Sequence, residues 1–290
     1  MPAAAKFGSI VVINVSPYRC DATIIKHGGQ SVCLRTKPIT AKLLERLRDV
    51  LAVRILEALG FNGPPDGDNF QRIWWIPTGL LIRLPLHTAG YHRRQSGETV
   101  IDRVMSSYSS SVKTIIRGRG DLTQQATYSK TLEHRRIVPA GMCQSNGLET
   151  IEPPPLKQEV PSQLPDCTIF HLAGHGITDN TNLLESYLLL EDWDTDRLTV
   201  EALLDMNPHE KPPFLACLAY RLAGFRHALE TLWSVNDESC LEMAKIIYEE
   251  IMTKDMSDDS MCKGLHKATR SLRDRGGFEA GGSRENYGCC

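Results

Sequence analysis

The segment Ser9-Ile-Val-Val-Ile-Asn-Val15 constrains the fold most, because it is a continuous β-branched run that does not alternate apolar with polar. Such a run reads as a strand buried on both faces, the habit of parallel sheets covered by helices rather than of sheets with one wet side. Two further strand candidates follow, Ala22 to Lys26 and Ser31 to Leu34, with Gly28-Gly29 between them as the turn of a hairpin. From Thr40, a candidate N-cap, apolar residues recur at helical spacing from Leu43 to Leu59, and Gly60 closes the segment. The Pro/Gly/Asp-rich stretch from Asn62 to Asn69 is a surface loop leading into a strand at Arg72-Ile-Trp-Trp-Ile76, which Pro77 ends. Of the tandem tryptophans, one is expected in the core and one at the surface.

Between Val100 and Ile116 the pattern is mixed around a serine cluster, and its second half reads as helix. From 118 to 165 no period holds, and basic residues give way to Pro153-Pro-Pro155, so this interval is expected to contain a flexible surface excursion. Order returns with the strands Thr168 to Ala173 and Tyr187 to Leu190, a short helix from Leu198 to Asp205, and strand candidates at Pro213 to Leu218 and Ala228 to Val235. Amphipathic helices over Glu238 to Met252 and Met261 to Arg273 close the series. Strands alternating with helices predict an α/β fold, a mainly parallel sheet with helices on both faces and ligand sites at the carboxyl ends of strands.

Composition narrows the function classes. A chain of 290 residues with 33 basic and 35 acidic side chains carries a net charge of −2, which supplies no field to gather nucleic acid or an anionic membrane. The apolar run at Ser9 to Val15 is too brief for a signal peptide or a membrane span, so the reading is a cytoplasmic protein. Nine cysteines at irregular spacings, with no Cys-x-x-Cys pair, argue against a disulfide framework and a zinc knuckle. No Walker pattern, G-x-G-x-x-G turn or G-x-S-x-G elbow is present, and no cofactor is expected. Asp192 to Asp196 reads as a solvated turn rather than a calcium loop.

The chemistry-bearing candidates lie at strand ends. Gly174-His175-Gly176 follows an apolar strand, and the paired glycines let the backbone turn sharply and hold an imidazole toward solvent. His175 there is either a proton shuttle or a loop histidine, and the unobstructed amide of Gly176 could donate to an oxyanion. His171, inside the strand, reads as a packed residue. Cys217 is the strand cysteine downstream of His175; it is either a thiol nucleophile paired with that histidine or a buried, inert packing residue.

Taken together, Phe170-His-Leu-Ala-Gly-His-Gly176 resembles the histidine motif of CHAT domains, caspase-like modules often found after TPR repeats, and the fungal branch in particular. Tyr187-Leu-Leu-Leu-Glu-Asp-Trp193, Leu222-Ala-Gly-Phe-Arg226 and Val235-Asn-Asp237 are similar to that branch in order and wording, as are Trp74-Trp-Ile-Pro-Thr-Gly-Leu80 and Leu84-Pro-Leu-His87. The likeness runs from about Ile10 to Arg275. It implies a caspase-like domain over residues 9–275, between a tail of residues 1–8 and a divergent tail of residues 276–290. It also implies a cysteine peptidase site in which His175 is general base and acid and the Gly176 amide is part of the oxyanion hole.

One departure weakens the catalytic expectation. The family follows its Pro-Phe-Leu strand with Ser-Ala-Cys, a turn and a helix, whereas here Phe214-Leu-Ala-Cys-Leu218 runs almost directly into Leu222-Ala-Gly-Phe225. Cys217 falls four positions short of the family's nucleophile. At ~3.3 Å per strand residue that is about 13 Å, far beyond the roughly 3 Å contact that proton transfer requires. The resemblance therefore implies a catalytically impaired module that holds a protein or peptide partner, with TPR-type or regulatory domains as further partners. An active cysteine endopeptidase using His175 and Cys217 is the alternative.

Overall fold

The computed structural model describes residues 2–15, 20–28, 32–36, 43–91, 98–120, 136–140, 149–150, 153–164, 169–172, 176–177, 179, 181–206, 214–216, 227–229, 237–253 and 257–275. They belong to two compact units, Met1–Arg117 with Leu232–Cys290, and Gly118–Thr231. The architecture is α/β in both.

In the first unit, strand β1 (Ser9–Val15) lies at the centre of a five-stranded sheet. It pairs antiparallel with β2 (Cys20–Ile25), which pairs antiparallel with β3 (Val32–Thr36). The run read as doubly buried is so: Val11 and Ile13 join one core cluster, and Ile10 joins another on the opposite face. The first face is covered by helix α1 (Leu43–Leu47), a π-helical turn at Arg48–Ala52, and helix α2 (Val53–Leu59), whose Leu47, Leu51, Ile55 and Leu56 are buried there. Thr40, read as the N-cap, lies outside the described residues. Gly60 ends the helix at φ +88°, and the Phe61 amide donates to the Leu56 carbonyl at 2.8 Å, the closure that a left-handed residue permits.

On the other side β1 runs parallel to β4 (Gln71–Pro77), and β4 to β5 (Val104–Tyr108). Period-two alternation sends Ile73 and Trp75 to the α1–α2 face and Trp74 and Ile76 to the other. Trp75 is fully buried and its Nε1 donates to Ser106 Oγ at 3.0 Å, while Trp74 is half-buried beneath the Arg72 guanidinium, 4.1 Å from its ring centroid. The opposite face is closed by Ala4 and Ala5 of a short 3₁₀ helix (Pro2–Phe7) and by Ile115 of helix α3 (Val112–Gly120). Strand β5 stands where the sequence reads only as mixed. Its serines are satisfied by side chains from β4: Ser106 accepts from Trp75 and Ser107 from Arg72 Nε at 2.9 Å.

The second unit holds strands β6 (Arg136–Ala140), β7 (Glu149–Thr150), β8 (Ile169–Leu172), β9 (Gly176–Ile177), β10 (Tyr187–Leu188), β11 (Leu198–Thr199), β12 (Phe214–Ala216) and β13 (His227–Leu229). Helices α4 (Glu159–Gln163) and α5 (Val200–Asp205) lie among them. Five strands form an all-parallel sheet in the order β13-β12-β8-β6-β7, and three form a small antiparallel sheet, β11-β10-β9. The interval read as an aperiodic excursion thus supplies two strands of the main sheet. β6 escaped notice because Pro139, placed opposite His171, is foreign to the interior of a strand.

Returning to the first unit, α6 (Asp237–Thr253) and α7 (Asp258–Arg275) pack as a hairpin beside β5. Gly264 permits their close approach, since a Cβ there would sit 3.2 Å from Ile247 Cα. Near the end of α7, Arg273 Nη1 donates to Asp102 Oδ1 at 2.8 Å, and Asp102 Oδ2 accepts from the Thr99 hydroxyl at 2.6 Å.

Candidate functional site

In an all-parallel sheet every carboxyl end faces the same edge, and substrates bind along that edge. Strand β8 lies beside β12 with Ile169 opposite Phe214, Phe170 opposite Leu215 and His171 opposite Ala216. Phe170 is buried and anchors β8 in the unit. His171 keeps some exposed surface, yet desolvation pulls its pKa down to about 4, so the ring is neutral at pH 7. That environment fits the packing role read for it. The sequence candidates His175 and Cys217 lie outside the described residues.

Gly176 is described. It opens β9, is half-buried and stands opposite Leu188, with Ile177 opposite Tyr187. Beyond it, Asp179 folds the chain into a tight polar turn: its Oδ1 accepts from the Thr181 hydroxyl at 2.6 Å, the Thr181 amide at 2.7 Å and the Asn182 amide at 2.9 Å. The hydrogen bond from the Thr181 side chain leads these in holding the Asp179 carboxyl below the usual carboxylate range. Tyr187 stacks on Trp193 at 6.3 Å between ring centroids, with Arg197 4.5 Å over the Tyr187 ring. The Thr199 hydroxyl caps α5 by accepting from the Ala202 amide at 3.2 Å.

The acidic turn at Asp192 to Asp196 is occupied structurally. Both Asp192 oxygens accept from the Lys157 amide, at 2.9 and 3.2 Å, and the Lys157 ammonium pairs with Asp196. These carboxylates therefore tie the segment before α4 to the turn after β10. Among the described residues no group of three or more His, Cys, Asp or Glu is placed to hold a metal ion, and no helix is long and apolar enough to cross a membrane.

The first unit contains a second constellation that sequence reasoning missed. A cleft of about 290 Å³ is lined along α7 by Lys263, His266, Lys267 and Arg270, and opposite them by Asp68, Phe70, Met105 and Glu250. The His266 ring lies 4.4 Å from that of Phe70, and the Arg270 guanidinium sits 5.0 Å over the same ring. Burial, with Arg270 and Arg273 adding to it, lowers the pKa of His266 to about 4. The available signal was the recurrence of ionisable residues at 263, 266–267, 270 and 274, one stripe of a helix. On its own such a stripe reads as a solvated face, and what makes it a cleft is the approach of Phe70 and Met105 from distant segments.

Compared with models of known families and with curated proteins, the chain matches none.

Proposed function

We propose that this chain is a caspase-like module of the CHAT type that has lost peptidase chemistry and acts by holding a protein or peptide partner at the carboxyl edge of the second unit's parallel sheet. The observation that carries the reading is the adjacency of β8 and β12, in which His171 stands opposite Ala216 and each strand leads in sequence to one half of the expected dyad. The segment after Leu218 is shortened and Cys217 falls four positions short of the family's nucleophile, which supports impairment.

The test is cleavage of a diverse peptide library by the purified chain, with Cys217→Ala as its partner. The expected outcome is no turnover above background by either protein. Turnover that Cys217→Ala abolishes would refute the proposal and establish the alternative, an endopeptidase using His175 and Cys217 with the Gly176 amide as an oxyanion donor. That alternative draws its support from the adjacency of β8 and β12, whose carboxyl ends precede the two residues in sequence. An acyloxymethyl ketone, which captures a thiolate activated by a neighbouring imidazole, separates the readings without knowledge of the substrate. It is expected to leave Cys217 unlabelled.

A further inference from the structure

The small antiparallel sheet of the second unit has one dry face and one wet one. Leu188 and Leu198, partners across β10 and β11, are buried, and their strand neighbours Tyr187 and Thr199 point the other way. On a solvated sheet face polar side chains are the norm. Here Ile177 and Tyr187 pair across β9 and β10, and Trp193 stacks on Tyr187, so one aliphatic and two aromatic side chains adjoin at the surface. Ile177 is 42% exposed and Trp193 41%. Single apolar side chains at a surface need no explanation, but a contiguous group marks a face that another molecule covers.

The charge around this row favours one kind of molecule. Residues 176–206 hold eight acidic side chains and one basic one, whereas the whole chain stands at only −2. Three of the eight are engaged within the fold: Asp192 accepts from the Lys157 amide, Asp196 pairs with the Lys157 ammonium, and Asp179 closes its own turn. Glu185, Glu191, Asp194, Glu201 and Asp205 are exposed and have no cationic partner among the described residues. Glu191 and Asp194 flank Trp193 in the chain, and Glu185 stands two residues before Tyr187. The one base, Arg197, shows what these rings accept: its guanidinium lies 4.5 Å over Tyr187 while its Nε donates to the Trp193 carbonyl at 3.2 Å. The exposed indole of Trp193 offers a second cation the best of the aromatic surfaces.

We propose that the outward face of β9 and β10, with Trp193, docks an arginine-bearing peptide segment of a partner protein, whose guanidinium stacks on Trp193 and whose charge is met by Glu191 and Asp194. Arginine suits both demands, since its planar head stacks on an aromatic ring while its edge pairs with carboxylates. Tryptophan and arginine are also the residues that concentrate binding energy at protein interfaces. The exposed carboxylates act through solvent, so they draw such a segment in at low salt and lose that pull as salt rises. The inference concerns an outward sheet face rather than the carboxyl edge of the parallel sheet, so it stands or falls apart from the reading proposed above.

The probe is a short end-blocked peptide alternating arginine with valine, with its glutamate-for-arginine counterpart and the polyamine spermine as controls. The full chain, isotopically labelled at tryptophan, is titrated by NMR, and the Trp193 indole signal is identified by its loss in Trp193→Phe. Affinities for the variants are read from the fluorescence anisotropy of labelled peptide. A saturable shift of the Trp193 signal is expected with the arginine peptide and none with the glutamate peptide. Spermine, a cation without a planar head, is expected to bind about ten-fold more weakly or worse. The same loss is expected for the arginine peptide with Trp193→Ala, and with Glu191→Gln and Asp194→Asn combined, a pair of exposed changes that carries the comparison if Trp193→Ala fails to fold. Glu57→Gln with Asp66→Asn removes as much charge from the first unit and is expected to leave the affinity unchanged. The proposal is overturned by the absence of a saturable shift, by equal binding of spermine or the glutamate peptide, by affinity that the Trp193 and Glu191/Asp194 variants leave unchanged, or by an equal loss in the first-unit control. Dimerisation in sedimentation velocity that Trp193→Ala abolishes also overturns it, since a second copy of the chain would then be the occupant.

Discussion

Trp75 illustrates how one polar atom governs a buried residue. Its indole is fully enclosed between β-sheet and helix, and the Nε1 proton it cannot give to water goes to Ser106 Oγ at 3.0 Å. Ser106→Ala is expected to destabilise the first unit by about 1–2 kcal/mol in urea unfolding, because it leaves a buried donor unsatisfied while removing almost no apolar contact. Trp75→Phe, which removes the donor too, should make Ser106→Ala nearly neutral in the double variant. Failure of that cancellation would mean that the hydroxyl acts on something other than the indole. The split between the two tryptophans was legible, since adjacent strand residues point to opposite faces. Which of them is the core residue was not, because both faces of this sheet are covered and only the Arg72 side chain lying on Trp74 distinguishes them.

At the scale of elements, the helix that packs on β1 shows both what a sequence pattern carries and what it omits. Its apolar period and its closing glycine were readable. Gly60 adopts φ +88° with nothing within 4 Å of where a Cβ would stand, so only backbone strain opposes a side chain there. Gly60→Ala is therefore expected to cost about 1 kcal/mol in chemical denaturation, with an unchanged m-value and no loss of packing. A neutral result would imply that the helix ends elsewhere in solution. The π-helical turn at Arg48–Ala52 left no such trace, since inserting one residue's worth of turn shifts the apolar stripe less than the stripe's own width. β5 and β6 were hidden for opposite reasons. β5 carries serines whose polarity is met by side chains from β4, with Cys262 of α7 also against Ser107, and β6 carries a proline that strand propensity counts against.

Across the whole molecule, the α/β character followed from the doubly buried β1 and from the alternation of strand and helix, both local properties of the chain. The division into two units did not, because the first is assembled from both ends of the chain and the change of pattern at residue 118 reads as a surface excursion within one domain. The candidate site was legible only as residue types: the adjacency of β8 and β12 is a matter of strand order, and the cleft at His266 assembles segments nearly 200 positions apart, from Asp68 to His266. Strand order and helix docking also determine how the molecule responds to acid. His171 in the second unit and His266 in the first both have pKa values lowered to about 4 from the 6.5 of an unstrained imidazole. The unfolded chain therefore binds protons below pH 6.5 that the folded chain refuses until about pH 4, and stability rises with pH wherever the unfolded state holds more protons. The contribution is fully present above about pH 7 and is lost progressively as the pH falls toward 4. For the deeply buried His266 it amounts to ~3 kcal/mol over that range, and His171 adds in the same direction. Urea midpoints measured from pH 7 to pH 5 should fall steadily, in a window where most carboxylates have yet to titrate, and His266→Gln should flatten the slope whatever it does to the absolute midpoint. Amide exchange resolves the two sites, with acid-dependent opening of α7 answering to His266 and that of β8 to His171. A midpoint independent of pH across that window would mean that both imidazoles are hydrated in the folded protein.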